Sequence, residues 1–448
     1  MSALLDPRQA QAFRFVRCTY RDGEAQLAYA FNDGPALIER IGFPDAPPLP
    51  PERESAFAAA LRLLHLIAGV SYYKAGVPKA IVVEGEPLDA GLAQFMDTVY
   101  THGLAEFAYH NKVDLRGRIR FPRHGKAMRP PAAHANLQRR TLVALGGGKD
   151  SLVSVEMLKG VDEPMTAVWV GDSALIAACA QRTGLPTLNL SRRLAPELFE
   201  YNRLGAYNGH IPVTAINSAI LICAAILYDF DAIAFSNEAS ASAATLEYDG
   251  QPVNHQWSKS LDFERDVREY TKSHTAADLD YFSLLRPWSE LAVTRAFARS
   301  TRYDDVFSSC NRNFRIRGER PADRWCGQCP KCHFVFLALA PFVAKPRLLA
   351  IFGRNLLDDA ALASGFDALL EYREHKPFEC VGEGRESRAA MRALSLRPEW
   401  REDALVARFA EEIAPQLGAG EFALAPLLTP SATHFLPFRL QGLLHAHA

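Results

Sequence analysis

Two short runs of this 448-residue chain place reactive side chains close together. The first is Gly146-Gly147-Gly148-Lys149-Asp150-Ser151, directly after the apolar Leu142–Leu145 and directly before a helical pattern from Leu152 to Lys159. Strand, glycine turn and helix make a phosphate site. Glycines let backbone N–H groups approach phosphate oxygens, and the first free N–H groups of the helix add a favourable dipole field. Lys149 supplies a positive charge there and Ser151 a hydroxyl donor. Asp150 is out of place in a pure anion site and suits a Mg²⁺ ion accompanying the phosphates. Neither the Walker spacing nor the dinucleotide G-x-G-x-x-G is present, which removes kinase-like and NAD readings. The second run is Cys326-Gly327-Gln328-Cys329-Pro330-Lys331-Cys332, with Cys310 before it across a loop of fifteen residues. Four thiolates suit a closed tetrahedral Zn²⁺ site, with an iron–sulfur cluster as the competing occupant.

The glycine run resembles the Ser-Gly-Gly-x-Asp-Ser loop of the PP-loop ATP pyrophosphatases, which include GMP synthetase, NAD synthetase and QueC. Gly146 stands where that family has its first Ser. The likeness extends from about Thr141 to Phe336, through His210-Ile211-Pro212-Val213 before a helix bearing Asn217, and through Ala232–Phe235 followed by Ser236-Asn237-Glu238. It implies ATP cleaved between its α and β phosphates, pyrophosphate held by Gly146, Gly147, Gly148, Lys149, Asp150 and Ser151, and an adenylated substrate. Glu238 falls at the carboxyl end of a parallel strand, where open α/β sheets bind ligands. The cysteine pattern is similar to the structural zinc site of QueC.

Over its whole length the chain resembles the MurL family. The segments that carry the likeness are the Gly146 loop, Asn254–Glu264, the cysteine cluster and His375–Ser387. The resemblance implies an ATP-dependent epimerase of UDP-N-acetylmuramoyl-L-alanyl-L-glutamate, working in peptidoglycan synthesis with ATP, Mg²⁺ and Zn²⁺. The implied chemistry is coherent. An ionised carboxylate keeps its neighbouring Cα–H very weakly acidic, and a neutral acyl-adenylate removes that obstacle. A base then takes the α-proton and an acid returns it on the other face. Lys149 and Asp150 serve the nucleotide, while Lys259 and Cys380 are the expected proton-transfer residues, with His255 and His375 as further candidates. Two other adenylating enzymes compete: a QueC-like one acting on a nucleobase carboxylate, and a tRNA-thiolating one. The long segments flanking the PP-loop region weigh against the first. The formal net charge of −1 weighs against the second, because RNA binding leaves a basic footprint.

The elements positioning these groups follow from hydrophobic pattern. From Thr141 apolar strands at Leu142–Leu145, Met165–Val170, Thr187–Leu190 and Ala232–Phe235 alternate with helices, which predicts an α/β fold with a doubly wound parallel sheet. Residues 1–138 read as an α+β N-terminal domain, 139–340 as the PP-loop domain with its cysteine metal site, and 341–448 as a mostly helical C-terminal region. The N-terminal segment opens with a hairpin turning at Asp22-Gly23, followed by a helix from about Glu52 to Ala68 stopped by Gly69, a strand at Ala80–Glu84 and a helix near Leu88–Phe107. Later helices are expected at Phe334–Ala340, Arg347–Leu357, Asp359–Tyr372 and Arg401–Leu417. Arg116, Arg118, Arg120, Arg123, Lys126 and Arg129, ending in Pro130-Pro131, read as a solvated linker or a phosphate contact. The N-terminus lacks a basic segment followed by an apolar run, and the apolar stretches Ala215–Leu227 and Phe334–Val343 are too short to cross a bilayer. The expected setting is the cytoplasm, with the eight cysteines outside disulfides, a small-molecule substrate, and neither nucleic acid nor membrane as partner.

Overall fold

The computed structural model describes residues 6–123, 132–314 and 321–446. Among these a nine-stranded sheet runs in the order β11-β8-β5-β6-β7-β3-β2-β1-β4. Its strands are β1 (Ala12–Arg21), β2 (Glu24–Phe31), β3 (Leu37–Gly42), β4 (Ala80–Val83), β5 (Thr141–Ala144), β6 (Met165–Val170), β7 (Thr187–Arg193), β8 (Ala232–Phe235) and β11 (Asp280–Ser283). A separate hairpin pairs β9 (Leu246–Tyr248) with β10 (Gln251–Val253). The half from β11 to β7 is parallel throughout, as the alternation of strands and helices predicts.

From β5 the chain steps to β6 and β7 on one side, then returns to lay β8 and β11 on the other. That reversal leaves a crevice at the carboxyl ends of β5 and β8. Successive residues of β5 face opposite ways: Leu142 joins one hydrophobic core and Val143 the other. The first core holds the helices Glu54–Ala68 and Val213–Tyr228; the second holds Lys149–Leu158, Glu290–Ala298 and Pro330–Leu339.

The N-terminal strands continue this sheet. β3 pairs antiparallel with β7, Gly42 opposite Ser191, and the β1–β2 hairpin turns at Asp22 and Gly23, with φ of 50° and 77°. Glu39 of β3, fully buried, is held by Arg192 of β7 at 2.7 Å.

Several helix expectations need correction. Gly69 does not stop the first helix: its φ of −55° and ψ of −22° are helical, and Val70–Tyr73 continues. The glycine is there for space, because a Cβ would overlap the Phe15 ring and the Tyr100 hydroxyl. The run Pro51–Tyr73 is consequently long and apolar enough to span a membrane by composition, yet 83% of its apolar window is buried in the fold. The segment near Leu88–Phe107 divides into Ala90–Gly103 and Ala105–Asn111. Arg401–Leu417 becomes an α-turn at Ala404–Arg408, a π-turn at Phe409–Ile413 and a 3-10 turn at Ala414–Gln416, where Pro415 brings no N–H to an α-helical ladder. In the arginine-rich segment, Arg116 pairs with Asp114 and Arg123 with Asp97; Lys126, Arg129, Pro130 and Pro131 lie outside the described residues.

Candidate active site

The crevice at the ends of β5 and β8 holds a cleft of about 290 Å³, lined on one side by Gly146, Gly148, Asp150 and Ser151. Its other walls include Asn217, Ser236, Asn237, Ser309, Asn311, Lys259, Lys331 and Cys380. Gly146 is exposed to it. Gly147 takes φ of 76°, a conformation that favours glycine, and a Cβ there would come within 3.2 Å of Ile176. A Cβ on Gly148 would come within 2.6 Å of Ser309 Oγ, so the loop is kept thin on both sides. The Ser151 hydroxyl braces the loop, accepting from Gly146 N at 3.3 Å and donating to Gly148 O at 3.1 Å.

Lys149 is buried and its ammonium is bonded to Asp150 and to Glu290. It lies beneath the loop rather than in the cleft wall. Burial alone would lower its pKa, but the two carboxylates hold it above the ordinary value. Asp150 remains a cleft residue; burial pushes its pKa up, and Lys149, Lys331 and Lys259 together bring it below normal. Glu238, buried at the end of β8, is pushed up to about 8 by burial and then by Glu290, Glu386 and Asp150. Its carboxylate accepts from Ala241 N at 2.9 Å instead of facing the cleft.

Lys259 and Cys380, 121 residues apart, meet at 3.1 Å across the cleft. Burial opposes the Cys380 thiolate, but the Lys259 charge and a hydrogen bond from His255 bring its pKa down to about 5. Burial likewise opposes the Lys259 ammonium, and Cys380 raises it to about 12. The arrangement is a thiolate–ammonium pair at neutral pH. His375 is exposed and borders a separate groove with Glu371, Arg373 and Lys376, so it is not brought to the cleft.

Two residues beyond the sequence expectations take part. Lys331, inside the cysteine run, lines the cleft and bonds the Cys380 carbonyl, and Glu290 closes the Lys149 pair from the far helix. Lys331 was visible by its place between two cysteines; nothing local marks Glu290.

Two family models cover most of the chain: the MurL N-terminal domain matches residues 5–284 and the MurL C-terminal domain residues 306–422. The chain belongs to the MurL family. A relative named UDP-N-acetyl-alpha-D-muramoyl-L-alanyl-L-glutamate epimerase, from Xanthomonas oryzae pv. oryzae, is 56% identical over 440 residues, spanning 98% of this chain and 97% of that protein. Proteins of the same name from Salinispora tropica and Micromonospora sp. are each 41% identical, over 438 and 437 residues; they cover 96% of this chain, and 95% and 97% of their own length.

The MurL domain boundary runs through the cleft. The glycine loop and Lys259 come from the N-terminal domain, and Lys331 and Cys380 from the C-terminal one. The C-terminal domain also supplies the sulfur cluster. Cys310, Cys326, Cys329 and Cys332 bring their Sγ atoms within 4.8 Å of one another, with pairs at 3.4, 3.8 and 3.9 Å. Sulfurs tetrahedrally placed about 2.3 Å from a Zn²⁺ centre stand about 3.8 Å apart, so the donor set fits a metal such as zinc. Hydrogen bonds from Cys329 and Cys332 hold Cys310 well below the ordinary thiol value, while Cys310 and Cys329 push Cys332 well above it. Four such sulfurs ionise together only around a cation.

Proposed function

We propose that this MurL chain inverts the terminal L-glutamyl residue of UDP-N-acetylmuramoyl-L-alanyl-L-glutamate to its D-form in peptidoglycan precursor synthesis. Its ATP is cleaved to AMP and pyrophosphate as the glutamyl carboxylate is adenylated. The observation that carries the reading is the Lys259–Cys380 pair, 3.1 Å apart, in the same cleft as the Gly146–Ser151 loop. A PP-loop pyrophosphatase domain would provide such a loop, and an epimerase needs such a base beside it.

Gly146, Gly148 and the N-terminus of the helix Lys149–Leu158 receive the phosphates, and Ser151 keeps the loop in shape. Asp150 would hold the Mg²⁺ that offsets phosphate charge, and the four cysteines would hold a structural Zn²⁺. Once the carboxylate is masked as the mixed anhydride with AMP, the Cys380 thiolate takes the α-proton. The C–H electron pair passes into the enolate of the acyl group. A second acid, in exchange with solvent, delivers a proton to the opposite face, and attack of water on the anhydride then releases the D-glutamyl product and AMP. Lys259 holds the thiolate until substrate arrives.

The test is turnover in D₂O. The product should carry deuterium at the glutamyl α-carbon, exchange should require ATP, and AMP and pyrophosphate should accumulate without ADP. Inversion without ATP would remove the role given to the loop. ATP cleavage without α-exchange would transfer the adenylate to amide, nitrile or thio chemistry.

A further inference from the structure

The helix Ala105–Asn111, far upstream of the glycine loop, sends one buried carboxylate toward the Cys380 side of the cleft. Glu106 is 8% exposed. Its Oε2 accepts from Nδ1 of His255 at 2.5 Å and lies 3.5 Å from Nδ1 of His210. The more exposed His110, one turn along the helix, is 3.8 Å from the other oxygen. Among the described residues, then, the ion-pair partners of this carboxylate are imidazoles and no lysine or arginine reaches it. A buried carboxylate needs a compensating charge, and His255 is the closest group able to supply one.

The segment carrying His255 packs on that carrying Cys380, where Gln256 Nε2 donates to the Val381 carbonyl at 3.4 Å, and His255 acts on the Cys380 thiol as donor and as charge to bring its pKa down. With Nδ1 given to Glu106, Nε2 is the donor left for sulfur. His210, its ring 4.5 Å from that of His255, is driven down to about 4 by burial and by the His255 charge, so the proton sits on His255. Burial opposes that proton too, but bonds to Cys380 and Glu106 raise His255 to about 10. The result is a row of alternating charge: Glu106, His255, Cys380, Lys259. Two more groups complete the surroundings of the sulfur. Lys331 is bonded to the Cys380 carbonyl, and Glu379 is pushed up to about 7 by burial with His255 opposing.

We propose, resting on the epimerase reading of the cleft, that Glu106 and His255 are positioning residues that orient Cys380 and keep its thiolate charged as the base for the α-proton. A purely structural ion pair needs only Glu106 and His255. The extension of the row to a cleft-lining sulfur, flanked on its other side by Lys259, is what gives it a chemical role. The row joins three parts of the chain, so the N-terminal segment completes the site. It is the arrangement of a cysteine activated through imidazole by a carboxylate, used here to move a proton.

The same three side chains, Glu106, His210 and His255, lie within 4.8 Å of one another and form a donor set a divalent cation could use. The pull of His255 on the thiol and the Lys259 ammonium 3.1 Å from the sulfur favour the relay over a dication. The experiment uses full-length protein as wild type, Glu106→Gln, His255→Asn and Cys380→Ser, with near-ultraviolet circular dichroism as the check of folding. Alkylation by iodoacetamide is followed against pH and the Cys380 peptide quantified by mass spectrometry. This readout requires no substrate. In the wild type Cys380 should react at half its limiting rate well on the acid side of a free thiol. In Glu106→Gln and His255→Asn the midpoint should rise by about one pH unit or more, roughly a tenfold slower reaction near pH 4, below both midpoints. Superimposable profiles in folded variants overturn the relay, as does a stoichiometric metal in the wild type that both Glu106→Gln and His255→Asn release. A shifted wild-type profile in protein that shows no ATP-dependent α-exchange leaves the relay standing and removes the epimerase reading instead.

Discussion

Arg286 fastens the segment that carries Lys259, and replacing it by Met should loosen both the fold and the site. The guanidinium is 2% exposed. It donates to Glu264 Oε2 at 2.9 Å, to the Glu238 carbonyl at 2.6 Å and to the Lys259 carbonyl at 2.5 Å, while Glu264 Oε1 accepts from Ser283 N at 2.8 Å. Met fills much of the volume but strands the Glu264 carboxylate, 1% exposed, with a full charge. Breaking a buried pair from one side costs about 3–5 kcal/mol. Each carbonyl left without a donor adds about 1–3 kcal/mol unless water reaches it. The expected loss in urea unfolding, followed by tryptophan fluorescence, is therefore at least ~4 kcal/mol. Glu264→Gln in the same chain removes the stranded charge and keeps an acceptor for Ser283, so the double variant should regain roughly 2 kcal/mol. Exchange at the substrate α-carbon should fall with the single variant, because the Lys259 backbone loses its anchor. A single variant within ~1 kcal/mol of wild type, or a double variant no more stable than the single, would refute the argument.

Asp150→Ala should leave the folded state intact, since Lys149 keeps Glu290, yet reduce pyrophosphate release by about 100-fold or more; near-normal release would remove Asp150 from the nucleotide site. One zinc per chain should be found by elemental analysis, and a chelator should lower the melting temperature, because the metal would tie Cys310 to the start of the helix Pro330–Leu339; iron with acid-labile sulfide would reject that occupant. Glu238 ordinarily ionises near 4.5 and in the fold near 8, so between those values the native state holds a proton the unfolded chain has released. Stability should then fall as pH rises through that window, and Glu238→Gln should flatten the fall; urea midpoints measured at about pH 5 and about pH 8 will show it.

The parts of the site legible in sequence are those written in consecutive residues. Gly146–Ser151 declares itself because strand, turn and helix start are contiguous, and Cys326–Cys332 because three thiols within one short run have few other uses. The parallel strands were legible from apolar runs of the right length. Pairing between distant elements was not. Alternation in Leu37–Gly42 says which residues face the core but not that β3 will lie against β7. Cys380 and Lys259 were separate candidates in sequence, and only the packing of the C-terminal MurL domain over the sheet end makes them partners. Glu106 sits in an ordinary amphipathic helix, where a carboxylate is normally solvated, and burial against two imidazoles distinguishes it. Gly69 misled because a glycine at a helix end normally signals a stop, whereas here the missing side chain makes room for Phe15 and Tyr100.

The antiparallel seam between β3 and β7 sets an order of events during synthesis. Gly42 must find Ser191, and Arg40 must find Arg193, so the N-terminal strands leave the ribosome well before their neighbour exists. At ordinary elongation rates the interval is on the order of ten to thirty seconds. Throughout it the nascent chain presents an open strand edge, the template on which foreign strands add. Glu39, destined for burial against Arg192, is charged and unmatched during that wait. The residue that later locks the seam thus first guards it, discouraging another chain from docking where only β7 can neutralise the charge.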